Sequence, residues 1–122
     1  MKKILFIEDE SALQRAATQI LAEQGYQTFS ALDGETGIDL AKKELPDIIL
    51  LDLILPRKNG FEVMTELKQH ASTSHIPIII LTNLEENKDV ERAIALGATT
   101  YLVKTNYKLE EVVEKIKEIL GE

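Results

Sequence analysis

Short, uninterrupted apolar runs alternate along this chain with longer stretches in which apolar positions recur every three or four residues. The runs are Ile4-Leu5-Phe6-Ile7, Ile48-Ile49-Leu50-Leu51 and Ile76 to Leu81, with a less apolar Thr100-Tyr101-Leu102-Val103 towards the end. A run that is apolar throughout suits a strand covered on both faces, as in a parallel sheet. Tyr26 to Ala31 is mixed in polarity and reads as an edge strand. Between the runs, Leu13, Ala16, Ala17, Ile20 and Leu21 share one face of a helix that Asp9 or Ser11 can cap and Gly25 ends. Asp33-Gly34 makes a turn, and Gly37, Ile38, Leu40 and Ala41 mark a second helix that ends before Pro46. Phe61, Met64 and Leu67 space a third helix; Val90, Ala93 and Ile94 outline a fourth, closed by Gly97. Leu109, Val112, Val113, Ile116, Ile119 and Leu120 give the cleanest amphipathic pattern, a fifth helix. Strands alternating with helices in this way predict an α/β fold with a parallel sheet covered on both faces.

In such sheets ligands bind outside the carboxyl ends of the strands. The polar residues that interrupt the pattern fall at those ends. Glu8 and Asp9 close the first strand, Asp52 the third, Thr82 the fourth and Lys104 the fifth. A carboxylate directly after a core strand has to be paired, bound to a metal, or left at the solvent end. Pro56 and Asn59-Gly60 break the chain soon after Asp52, so it surfaces into a loop. Three carboxylates on one edge repel one another unless a cation or protons intervene. With oxygen-only ligands and room for water, the ion that fits is Mg²⁺ or Mn²⁺, octahedral, with metal–oxygen distances of about 2.0–2.1 Å for Mg²⁺. Once screened, Asp52 can act as a nucleophile towards a phosphoryl group, with Lys104 and the Thr82 hydroxyl positioned for its oxygens. The pattern therefore points to an aspartyl-phosphate site.

Composition narrows the field further. At 122 residues the chain makes one domain. Its 14 basic and 21 acidic side chains leave a net charge of −7, which speaks against a nucleic-acid footprint. The lack of cysteine excludes thiol catalysis and cysteine-rich zinc sites. No apolar run approaches the roughly 20 residues of a membrane span, and Met1-Lys2-Lys3 leads straight into a strand, not a signal peptide. A cytoplasmic location is the expectation. No linker, repeat or low-complexity segment interrupts the chain. His70 and His75 lie in a polar stretch away from the acidic edge and read as solvated loop residues.

Glu8-Asp9, Asp52 followed by Leu55-Pro56 and Asn59-Gly60, Thr82, and Gly97-Ala98 before Tyr101-Leu102-Val103-Lys104 together resemble the receiver domain of two-component response regulators. The likeness runs the length of the chain, with the motifs in the family's order. It implies a flavodoxin-like doubly wound sandwich of strand order 2-1-3-4-5, a receiver domain over residues 1–122 with no output domain. It also implies that Asp52 accepts a phosphoryl group from a histidine kinase, a histidine phosphotransfer protein or a small phosphodonor. On the same grounds Asp9, Asp52 and the backbone carbonyl of Ile54 would bind Mg²⁺, with Glu8 acting through water. Thr82 and Lys104 would hold phosphoryl oxygens, and Tyr101 would be the switch aromatic that turns inward as Thr82 moves. The face of the fourth helix, fifth strand and fifth helix would report the change to an effector or pair two copies of the chain.

Two positions depart from the family pattern. Thr105 follows Lys104 where the family has a proline in a cis peptide. A cis bond to a non-proline residue costs about 2.5–4 kcal/mol, so either the bond is trans and the loop is redrawn, or the surroundings hold strain. Asn83 follows Thr82 where a small residue is usual, and a larger amide there would restrict water or a phosphodonor. Other classes fit less well. A haloacid dehalogenase-type phosphohydrolase needs a second aspartate two residues beyond its nucleophile, and here Ile54 stands there. A flavin-binding module needs a phosphate cradle after the first strand, and Glu8-Asp9-Glu10 would repel phosphate. A degenerate receiver that only docks partners is the remaining alternative.

Overall fold

The computed structural model describes residues 1–122. Its strands are β1 (Lys3–Ile7), β2 (Gln27–Ala31), β3 (Ile48–Leu51), β4 (Ile78–Thr82) and β5 (Thr100–Val103). The helices between and after them are α1 (Ser11–Glu23), α2 (Gly34–Glu44), α3 (Gly60–Gln69), α4 (Asn87–Ala95) and α5 (Leu109–Leu120). All strands pair in parallel, in the order β2-β1-β3-β4-β5. The expected doubly wound sandwich is thus the observed one, with β2 at the edge as its mixed polarity foretold.

The apolar runs have a direct structural reason. Side chains alternate across a strand, so Leu5, Ile7, Ile49, Leu51, Ile78 and Ile80 enter one core, and Ile4, Phe6, Ile48, Leu50, Ile79 and Leu81 enter the other. The first core is closed by Ile38 and Ala41 of α2, Val63, Met64 and Leu67 of α3, and Ala93 of α4. The second is closed by Ala17 and Leu21 of α1 and by Val112, Val113 and Ile116 of α5. Burying each large aliphatic side chain favours folding by roughly 1.5–3 kcal/mol. No helix of the structure is long and apolar enough to cross a membrane.

Several local expectations are corrected. Neither Asp9 nor Ser11 caps α1: the N-cap is Glu10, without a side-chain bond, because Ser11 is already helical. Asp33-Gly34 is a helix start, not a free turn, since Asp33 accepts from Thr36 N at 2.8 Å and Gly34 opens α2. The fourth strand runs over Ile78–Thr82, not from Ile76, as Pro77 lacks the amide that would extend the ladder.

The loop after β3 is fixed tightly. Gly60 N donates to Leu53 O at 2.9 Å, and Asn59 with Glu62 forms a capping box for α3. A Cβ on Gly60 would collide with the Asp52 carbonyl and sit 2.7 Å from Leu53 Cα. Glycine is therefore needed for the helix to start this close to the end of β3.

Candidate functional site

Strand register brings the functional residues together. Ile7 pairs with Leu51, so Glu8 and Asp52 are the next residues outward on neighbouring strands. These are β1 and β3, between which the direction of winding reverses and a crevice opens. Leu51 pairs with Ile80, which puts Thr82 one step beyond the level of Asp52. Val103 pairs with Thr82, and Lys104 follows it, close enough for its long stem to reach back over the crevice.

The side chains converge as that register requires. Lys104 Nζ lies 2.9 Å from Asp52 Oδ2 and 2.7 Å from Glu8 Oε1. The first is a hydrogen bond and the second a close ion pair. Asp52 Oδ1 accepts from Ile54 N at 3.2 Å, and Glu8 Oε2 accepts from Glu10 N at 3.0 Å. Glu8 and Thr82 are fully enclosed, Asp52 is 3% exposed, and Asp9 is exposed. Burial pushes the Glu8 carboxyl above its ordinary range; Lys104 and the Glu10 amide pull it back, while the Asp52 charge adds to the rise. Burial works against the charge on Lys104, but Glu8 and Asp52 more than offset it and raise its pKa.

One ammonium against two buried carboxylates and a third, exposed one leaves the cluster net negative. Oxygen atoms of Glu8, Asp9 and Asp52 lie within 4.8 Å of one another. These hard donors suit a small divalent cation, and the exposed Asp9 opens the crevice to the waters that Mg²⁺ keeps. Asp9 and Asp52 could hold the ion directly. Glu8 is already engaged by Lys104 and by Glu10 N, which fits contact through water. Ile54, at 53% exposure, stands in the loop beside Asp52 with its amide turned to the carboxylate.

The remaining expected residues frame this crevice. Thr82 Oγ1 accepts from Leu84 N at 3.4 Å, which leaves its own proton for an incoming oxygen. Tyr101 is half-buried and donates from its hydroxyl to Leu84 O at 2.6 Å. Thr82 and Tyr101 therefore grip the same residue from its amide and carbonyl sides. No peptide bond is cis, so the Lys104-Thr105 bond is trans. The loop is redrawn as one 3₁₀ turn, Lys104–Asn106, and the ammonium still reaches Asp52. His70 ends α3 and His75 precedes β4; both are exposed at the opposite edge of the sheet.

Sequence reasoning passed over Gln14. It is 4% exposed, and its side-chain amide donates to Phe6 O at 2.8 Å, Ala31 O at 2.9 Å and Glu8 O at 3.2 Å. A signal was present, because Gln14 stands three residues before Ala17 and seven before Leu21, on the inward stripe of α1.

Three comparisons place this geometry among known proteins. A family model described as the response regulator receiver domain matches residues 4–117. Protein PilH of Pseudomonas aeruginosa is 36% identical over 85% of this chain and 86% of its own length. Against other curated relatives the chain spans less of their length, 48% of one and 53% of another. A CheY-like response regulator receiver domain protein from Methanospirillum hungatei superposes with a TM-score of 0.92, at 26% identity, covering 99% of this chain and 94% of that one. The Mn²⁺-bound form of response regulator Rcp1 superposes with a TM-score of 0.84 at 30% identity, covering 96% of this chain and 92% of that one.

Proposed function

Because this chain belongs to the response regulator receiver family, we propose that it is a signalling switch that takes a phosphoryl group onto Asp52 in the presence of Mg²⁺. The observation that carries the reading is the enclosed Asp52 carboxylate, bonded by Lys104 at 2.9 Å and lying among the oxygens of Glu8 and Asp9. The donor is a histidine kinase, a histidine phosphotransfer protein or a small phosphodonor. The Mn²⁺-bound form of the similar response regulator Rcp1 supports a divalent cation as a ligand of this chain as well.

In the transfer, a lone pair of an Asp52 carboxylate oxygen forms the new phosphorus–oxygen bond. The phosphorus–nitrogen bond of the donor phosphohistidine breaks, and its electron pair stays on the imidazole nitrogen. A bound Mg²⁺ would supply positive charge to the phosphoryl oxygens. Asp9, Asp52 and the Ile54 carbonyl are the groups proposed to hold it, with Glu8 acting through water. Lys104 is already beside Asp52 and neutralises one oxygen of the arriving group. Thr82 turns its free proton to another. Ile54 carries no proton to give, so the site favours holding the phosphoryl group over rapid turnover, and assists only slow self-dephosphorylation. Asn83 is exposed beside Thr82, and Asn83→Ala is expected to change the lifetime of the phosphorylated form.

The signal then has a mechanical route. Movement of Thr82 towards phosphate pulls on Leu84 N, and Leu84 O carries the Tyr101 hydroxyl with it. Helix α4 is the element best able to respond, since Ala93 is its only buried residue and its N-cap Glu86 supplies no side-chain capping bond. A shift from 1:99 to 99:1 needs about 5.5 kcal/mol of differential interaction. One charge-assisted bond from Thr82 supplies roughly 1.5–3 kcal/mol, so Lys104 and the loop after β4 share the task. The α4–β5–α5 face is the proposed docking surface for an effector protein or a second copy; nucleic acid is not a proposed ligand of this domain.

The test is to incubate the protein with Mg²⁺ and acetyl phosphate and weigh it intact, beside Asp52→Asn. A phosphoryl adduct on the parent and none on the variant is expected. An unmodified parent would reduce the chain to a docking module that ignores phosphorylation.

A further inference from the structure

Three backbone carbonyls, of Phe6, Glu8 and Ala31, converge where the ladder between β1 and β2 runs out. One side-chain amide answers all of them, that of Gln14. Two N–H bonds are shared among three acceptors, so the group could not be turned over without setting its own oxygen against those carbonyls. Gln14 Oε1 has no donor in the protein, which leaves the carbonyl cluster as the side chain's whole attachment. The residue is enclosed on the inward stripe of α1, beneath the Glu8-Asp9-Glu10 loop.

Glu8 is held from both sides by this arrangement. Its amide donates to Ala31 O at 2.9 Å, and its carbonyl accepts from Gln14. The path of the chain through Glu8 decides where its carboxylate meets Lys104 and where Asp9 projects. Groups that orient the ligands of a metal without touching it typically affect affinity by about 10–100-fold when removed.

We infer that Gln14 is the positioning residue for the cation site, clamping the carbonyl edge of β1 and β2 so that Glu8 and Asp9 stand in register with Asp52. The inference rests on the cation reading given above.

The test compares Mn²⁺ binding to the parent and to Gln14→Met, which keeps the length and apolar stem but loses the donors. A conservative core variant remote from the rim, Ile116→Val, serves as the control. Gln14→Met is expected to bind Mn²⁺ about tenfold more weakly, with Ile116→Val within about twofold of the parent. Equal binding by Gln14→Met and parent overturns the inference and leaves the cation reading intact; a parent that takes up no Mn²⁺ removes both. Should Gln14→Met fail to fold, the parent alone decides by amide NMR during a Mg²⁺ titration. The Gln14 side-chain amide signals are expected to shift together with the Glu8 and Asp9 backbone signals. Stationary Gln14 signals while those two shift overturn the inference.

Discussion

Leu51 and Asp52 are neighbours at the end of β3 and almost equally enclosed, at 0% and 3% exposure. They belong to regions governed by different physics. The interior of the sheet is held by interchangeable aliphatic contacts, where shape and volume matter and no partner is unique. Its carboxyl rim is held by single partnerships: Lys104 with Asp52 and Glu8, Gln14 with three carbonyls, Tyr101 with Leu84. Burying charge this way is costly, and its Coulombic return depends on every partner staying in place. Interior losses should therefore appear as lost stability with intact chemistry, and rim losses mainly as lost chemistry.

The strongest challenge to that contrast is Leu50→Ala. Leu50 is buried in the core beneath α1 and α5. Truncation there is expected to cost about 2–5 kcal/mol, read from urea unfolding. The fraction that remains folded should accept phosphate from acetyl phosphate at the parental rate. A slowed rate in the folded fraction would show that the interior also sets the chemistry.

Lys104→Met probes the rim directly. It leaves the Glu8 and Asp52 carboxylates facing each other without their common cation. Loss of one partner from a fully buried pair costs about 3–5 kcal/mol. Because the Lys104 side chain is 17% exposed, the expected cost here is smaller, about 2 kcal/mol, measured without metal. Phosphoryl uptake should fall by about 10²–10³, as for other preorganised charge-stabilising groups. Added Mg²⁺ should recover more stability in the variant than in the parent, since the ion replaces part of the missing charge. A variant as stable as the parent in EDTA would mean that the lysine contributes chemistry alone.

The same contrast explains what could be read from the sequence. Interior strands declared themselves, because burial on both faces leaves no position for a polar residue between Ile48 and Leu51. Asp52, Thr82 and Lys104 were legible as interruptions of that pattern at strand ends, and register alone then brings them together. The cap of α1 was not legible. Asp9 and Ser11 are both ordinary capping residues, and the competing demand for Asp9 at the rim is a tertiary matter. Gln14 was overlooked because a glutamine on a helix is usually solvated, and only the folded positions of the Phe6, Glu8 and Ala31 carbonyls give it a buried use. The redrawn Lys104-Thr105 loop needed the backbone itself, since sequence left both isomers open.

The mildest change, Tyr101→Phe, tests whether a rim partnership acts through one hydrogen bond. Its hydroxyl donates to Leu84 O at 2.6 Å, and such a bond contributes about 1 kcal/mol net. Leu84 is only half-buried, so water can satisfy its carbonyl in the variant and the cost should not exceed that. Burial, with smaller contributions from the charges of Asp89 and Asp52, pushes the Tyr101 phenol up to about 12. A folded-state pKa above the ordinary value near 10 means that the folded protein keeps this proton where the unfolded chain has lost it. The stability Tyr101 contributes is then fully present below pH ~10 and fades as the pH climbs towards 12. Urea midpoints should favour the parent over Tyr101→Phe at pH 8, and that advantage should close and then invert as the pH climbs towards ~12, with Leu50→Ala keeping a constant offset over the same span. An advantage of parent over Tyr101→Phe that widens with alkalinity would reverse the sign, and Tyr101 would belong with the interior as one more packed ring.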